Sequence, residues 1–181
     1  ERGEYGFSFK GLAVDFPTPL KKLSNLSGLA LYSDRKLSFL IDSEKLNLSI
    51  AGFTKSLSLD NTIGTFDLDF TERFKIPSGR LQSKNGEDHI NLIFSFDSTF
   101  NMKVFFKGES SVALNLLPDS TEDLKYFLLE RNFSSDNSYV HLDLSVIKNQ
   151  ILFDSSVFLT NFQISLSDQT FFGDFMHANA N

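Results

Sequence analysis

From Tyr5-Phe7-Phe9 onward, apolar residues recur at every second position, as in Leu12-Val14-Phe16, Leu37-Phe39-Ile41, Leu46-Leu48-Ile50 and Phe66-Leu68-Phe70. A period of two belongs to strands, because successive side chains of an extended chain point to opposite sides. The cadence continues through Ile90-Leu92, Phe94-Phe96, Phe100-Met102-Val104-Phe106, Val112-Leu114-Leu116, Val140-Leu142-Leu144, Val157-Leu159 and Phe162-Ile164-Leu166. The positions between are mostly Ser, Asp, Asn, Thr or Lys, so each strand has one oily and one wet face. Central strands of a parallel sheet are covered on both sides and read as unbroken apolar runs. The expected fold is therefore mostly β: an antiparallel, strongly curled meander, open like a groove, with one short amphipathic helix.

Turn chemistry falls between the runs at Ser33-Asp34-Arg35, Asp42-Ser43-Glu44, Asp60-Asn61, Pro77-Ser78-Gly79, Lys84-Asn85-Gly86-Glu87-Asp88, Lys107-Gly108-Glu109 and Lys148-Asn149-Gln150. Asn85-Gly86 is the best hairpin signal, since Asn-Gly adopts the left-handed angles of a tight turn. Two stretches break the rhythm. Pro17-Thr18-Pro19 precludes a central strand, and Leu20, Leu23 and Leu26 at spacing three predict a loop with one helical turn that Gly28 ends. Residues 120–131 predict the helix: Asp119 or Ser120 caps it, Glu122 and Asp123 sit at its positive end, Arg131 near its negative end, and Leu124, Phe127 and Leu128 form its apolar stripe. The stripe is expected to pack against one end of the sheet, and residues 176–181 are expected to fray as a tail.

At 181 residues the chain suits a single domain or a slice of something longer, and no Gly/Ser- or Pro-rich linker divides it. Its opening, Glu1-Arg2-Gly3-Glu4, reads as the interior of a longer protein, and no stretch approaches the ~20 apolar residues of a membrane-spanning helix. The formal charge of −6 supplies no counterion-release term for nucleic acid, which is not expected as a partner. Without cysteine there is no disulfide framework, thiolate nucleophile or sulfur-ligated zinc.

Enzyme signatures are scarce. His89, His141 and His177 have no second ligand at metal spacing, and each reads as an ordinary surface histidine. Asp67 and Asp69 share a strand face, as a metal pair or general acid/base pair would, yet alternating Asp is also how a solvated face looks. No Gly-x-Ser-x-Gly, Gly-Lys-Ser/Thr or Gly-x-Gly-x-x-Gly string occurs. The chain is expected to be no enzyme and to need no metal or cofactor.

What remains is the oily face. Phe occupies 21 positions beside four Tyr and no Trp, a lining with much hydrocarbon area and few polar handles. Either that face meets a second layer and closes a sandwich or barrel, or it curls into a trough whose lining holds acyl chains.

The order of segments resembles that of the AsmA-like proteins, especially their YhdP-like branch. The likeness rests on Gly11-Leu12-Ala13-Val14, Pro17-Thr18-Pro19-Leu20, Leu23-Ser24-Asn25-Leu26-Ser27-Gly28 and Lys36-Leu37-Ser38-Phe39-Leu40-Ile41-Asp42, and further on Leu116-Leu117-Pro118-Asp119 leading into Leu124-Lys125-Tyr126-Phe127-Leu128. The resemblance implies part of a periplasmic protein of a Gram-negative envelope, tethered to the inner membrane by a segment outside this chain. Its groove would carry phospholipid between inner and outer membrane. Alternation selects the lining: Phe39, Ile41, Leu48, Ile50, Phe66, Leu68, Phe94, Phe96, Val104, Phe106, Leu114, Leu142 and Leu144. The competing expectations are a closed β-sandwich serving as a structural or adhesive surface module, and a lipopolysaccharide-transport relative.

Overall fold

The computed structural model describes residues 4–16, 20–51, 53, 56–71, 75–115, 122–147, 150–166 and 169–180. Ten strands follow one another: β1 (Tyr5–Asp15), β2 (Leu20–Ser33), β3 (Lys36–Ile50), β4 (Leu57–Asp69), β5 (Ile76–Asn85), β6 (Asp88–Phe96), β7 (Phe100–Gly108), β8 (Ser134–Ile147), β9 (Gln150–Leu166) and β10 (Gln169–Ala180). They form one sheet in strict chain order, every neighbouring pair antiparallel, so the alternation is realised as a meander. Helices α1 (Ser110–Asn115) and α2 (Glu122–Glu130) fall between β7 and β8.

The tightest hairpins use the expected turn residues. Ser33 pairs with Lys36 across Asp34 (φ 49°) and Arg35 (φ 62°), and Asn85 pairs with Asp88 across Gly86 (φ 60°) and Glu87. Left-handed angles at the centre of a two-residue loop match the twist of the flanking strands.

Other expected breaks lie inside strands. The Leu20-Leu23-Leu26 run is not a helical turn but the first half of β2, and all three side chains are buried on the apolar face. The spacing of three arises because the pairing with β3 shifts between Leu20 and Lys22 and between Ser24 and Gly28, with Asn25 at φ 61°; an extra residue at a bulge turns a period of two into three. Pro17–Pro19 lie outside the described residues. Asp42-Ser43-Glu44 and Asp60-Asn61 are likewise not turns. β3 and β4 run through them in continuous register while the buried positions change parity, from Ser43 to Leu46 in β3 and from Leu59 to Thr62 in β4, where Asn61 has φ 45°. Pro77-Ser78-Gly79 lies within β5, at a shift between Ile76 and Gly79.

Asn25, Glu44-Lys45 and Asn61 thus form a corner across three adjacent strands, and the sheet folds over there. Phe16, whose N–H donates to Lys21 O at the far end of β2, meets Phe66 of β4 with ring centroids 6.0 Å apart. On a flat sheet the run from Leu57 to Phe66 alone would separate those levels by about 30 Å. The lower halves of β1 to β3 therefore fold over the upper half of the same face.

A bend releases backbone groups from the ladder, and buried ones need partners. The polar side chains inside the corner supply them. Ser27 N–H donates to Ser43 Oγ (2.8 Å), Thr62 Oγ1 to Leu59 O (3.1 Å) and Ser83 Oγ to Asp60 O (2.5 Å). Ser43, Thr62 and Ser83 are buried in an otherwise apolar interior for this reason.

The helix expected over 120–131 is present as α2, with Glu122 and Asp123 in its first turn. Its stripe does not pack as expected: Leu124 and Phe127 are exposed, and α2 has no buried residue. A nine-residue helix with a three-residue stripe has little area to bury. Its expected caps, Asp119 and Ser120, lie outside the described residues. Ser110–Asn115, where Val112 and Leu114 alternate as in a strand, is instead α1, packed on β7 and β8. The expected fraying of residues 176–181 gives way to pairing: Met176 through Ala180 pair with Leu159 through Ser155, so the last strand runs to Ala180.

Candidate functional site: the apolar inner face

Register places the expected lining residues in rows across the sheet. One row runs Phe39, Phe66, Gly79, Phe94, Met102, Leu144 from β3 to β8, and the next runs Ile41, Gly64, Leu81, Leu92, Val104, Leu142. Leu68 faces Leu37, Phe96 faces Phe100, and Phe106 stands between Ile90 and Val140. Leu48 and Ile50 belong to the lower half of β3, beyond the corner. Of the thirteen, Leu114 alone is not on a strand; it is buried on α1.

The aromatic members touch. Phe39 and Phe66 stack (4.5 Å, 15°), Phe9 meets Phe39 edge-on at 5.7 Å, and Phe66 meets Phe94 at 6.1 Å. The second and last of these contacts skip a strand, and each is allowed by a small residue in the strand between. Gly28 and Ala30 stand in β2, and Gly79 in β5 lies directly under the Phe94 ring, where an added Cβ would come 2.3 Å from Cζ. Rings meeting edge-on, stacked or tilted at these distances contribute about 0.5–1.5 kcal/mol beyond their buried area.

The face is well covered. Twelve of the thirteen residues are buried, from Phe66 at 1% exposure to Leu68 at 7%, and Phe96 is half-buried. The selection missed Leu20, Leu23, Leu26, Leu46, Leu59 and Ile76, all at 2% exposure or less; in β2 and β5 the register shifts beside them change the phase, a property that no single strand displays. At the other side of the sheet the cover ends. On β10 the consecutive residues Phe171 and Phe172, which point to opposite faces, are 47% and 77% exposed, and Phe175 is 64% exposed. Ser138 Oγ is buried on the inner face without a hydrogen-bond partner among the described residues.

The polar groups offer little chemistry. No group of three His, Asp or Glu among the described residues is arranged to hold a metal ion. Asp69 spends its carboxylate on Thr71: Oδ1 accepts the Thr71 N–H at 2.9 Å and its hydroxyl at 2.8 Å. Those two bonds, with smaller help from Lys36 and Lys75, hold the Asp69 carboxyl below the usual carboxylate range. It acts as a turn fastener at the end of β4. Among the described residues no helix is long and apolar enough to cross a membrane.

Compared with family models, curated proteins and solved structures, the chain matches none.

Proposed function

We propose that the chain is a segment of a lipid-transfer protein of the Gram-negative envelope, acting in the periplasm, whose curled sheet accommodates phospholipid acyl chains on its apolar face. The observation that carries this reading is a ten-stranded meander whose inner face stays apolar from β2 to β9 and whose last strand ends with uncovered Phe residues. Acyl chains need area and no directional partner, at ~0.8 kcal/mol per buried CH₂, and a lining of Phe, Leu, Ile and Val supplies it. Because that lining is packed at rest, entry requires the rings of β6 and β7 to swing aside, starting from the uncovered β10 side. The resemblance to AsmA-like proteins supports the same reading, with the membrane tether and both membrane partners lying outside this chain. The reaction needs no catalytic group.

The test is extraction of the purified chain with organic solvent followed by mass spectrometry. Phospholipid in near-stoichiometric amount is expected, and a lipid-free, stably folded monomer overturns the reading. A second reading, a self-filled β module with a structural or adhesive role in a surface protein, is favoured by the Phe16–Phe66 contact and the low exposure of the lining. The lipid-free monomer is its expected outcome.

A further inference from the structure

The three histidines stand on three non-adjacent strands, and register brings them to one hollow on the face opposite the apolar interior. Across the sheet His89 pairs with Lys107, Lys107 with Tyr139, Tyr139 with Phe158, and Phe158 with His177. Four members of that row neighbour a buried residue of the inner face in sequence, His89 beside Ile90, Lys107 beside Phe106, Tyr139 beside Val140 and Phe158 beside Leu159, so the row itself points outward. His141 stands in the adjoining row, stacked on the Phe105 ring at 4.6 Å and 8°, and its Nε2 lies 3.0 Å from Asp143 Oδ1. Together they line a hollow of about 270 Å³.

Its chemistry differs from that of the chain around it. The protein carries a net charge of −6, yet no carboxylate lines the hollow, whereas one lysine and all three histidines do. The remaining walls are mainly aromatic, with Asn91, Ser156 and Val140 among them: the Lys107 ammonium sits 5.7 Å from the Tyr139 ring centroid, and the Tyr139 and Phe158 rings are 6.0 Å apart. Tyr139 and Phe158 stay 39% and 40% exposed, with Lys107 over the one ring and Phe175 5.5 Å from the other, so each keeps part of its ring surface open to a ligand. Two acids on the strands beside it are otherwise engaged: Asp143 with His141 and Lys103, and Asp88 with the Glu109 N–H.

We propose that this hollow binds a small molecule carrying an anionic group on a planar aromatic ring, an aryl phosphate or aryl carboxylate. The ring lies against Tyr139 and Phe158, and the anion faces the Lys107 ammonium, a charge-assisted donor, with His89 and His177 beside it. The volume sits at the small end of ligand sites, which fits one ring with one anionic group. This site is separate from the acyl-chain face and does not depend on that reading.

The experiment is a titration of the full chain with phenyl phosphate, phenol and inorganic phosphate, following the imidazole C–H signals by NMR. With three histidines, all of them in the hollow, every such signal reports on it. Phenyl phosphate is expected to shift all three signals along one saturable curve and to bind at least about ten-fold more tightly than phenol or phosphate alone. Lys107→Met is expected to weaken it by about ten-fold, the loss of one charge-assisted hydrogen bond, and Phe158→Ala to weaken it independently, each variant being titrated under conditions where its urea curve shows it fully folded. Absence of saturable shifts up to about 10 mM ligand, equal affinity for phenol, or undiminished binding in both variants overturns the proposal.

Discussion

Gly79 lies beneath the Phe94 ring, on the strand between the two that carry Phe66 and Phe94, and the absence of a side chain there lets those rings approach to 6.1 Å. The inner face is built on this alternation of bulk and gap. The same device in β2, Gly28 with Ala30, lets Phe9 reach Phe39. A row of large residues on every strand would leave no room for a sheet that folds over itself.

Gly79→Ala should therefore cost about 1–3 kcal/mol through overpacking, because its Cβ meets a ring rather than the end of a flexible chain. Urea denaturation measures it. The double variant Gly79→Ala/Phe94→Leu should recover part of the loss, and additive losses would show that the two residues do not share the space.

Phe66 touches Phe16, Phe39 and Phe94 and is 1% exposed. Phe66→Ala should lose about 3–5 kcal/mol, whereas a surface change such as Ile93→Thr on the outer face stays within about 0.5 kcal/mol. Equal losses from the two would mean that Phe66 does not stand at the centre of the folded-over sheet.

At the corner, Ser43→Ala leaves the Ser27 N–H without its acceptor, and burial of that donor should cost about 1–3 kcal/mol. Hydrogen exchange at the Ser27 amide is the direct readout. Faster exchange is expected in the variant, and unchanged protection would mean that another group satisfies the bend.

Asp69 contributes a small pH dependence of known sign. Its folded-state pKa is lowered by the Thr71 bonds, so its contribution is present above the ordinary carboxylate range and is lost as pH falls through the folded value. Asp69→Asn should lower stability at pH 6 by an amount that shrinks as pH falls through the folded value, as followed by thermal unfolding. A loss that grows on acidification has the wrong sign for this account.

The meander was legible because alternation is a property of each strand alone. Rows from Phe39 to Leu144 followed from it directly, as did the Asn85-Gly86 hairpin and α2. What was hidden depends on neighbours. Leu20, Leu23 and Leu26 imitate a helical spacing because bulges at the corner change the phase, and Asp42-Ser43-Glu44 with Asp60-Asn61 imitate turns because a bend needs the same left-handed and polar residues as a loop. Ser110–Asn115 alternates like a strand but is too short for periodicity to decide. The meeting of His89, His141 and His177 could be read only once the register of five strands was fixed.

The claim that acyl chains enter the inner face can be tested at two positions of one strand. A photoactivatable benzophenone side chain is placed at Phe96, half-buried on the inner face, or at Ile93, 42% exposed on the outer one. Each folded variant is irradiated with radiolabelled phospholipid. Label captured at position 96 and not at 93 is the predicted result. Capture at neither position, or equally at both, contradicts it.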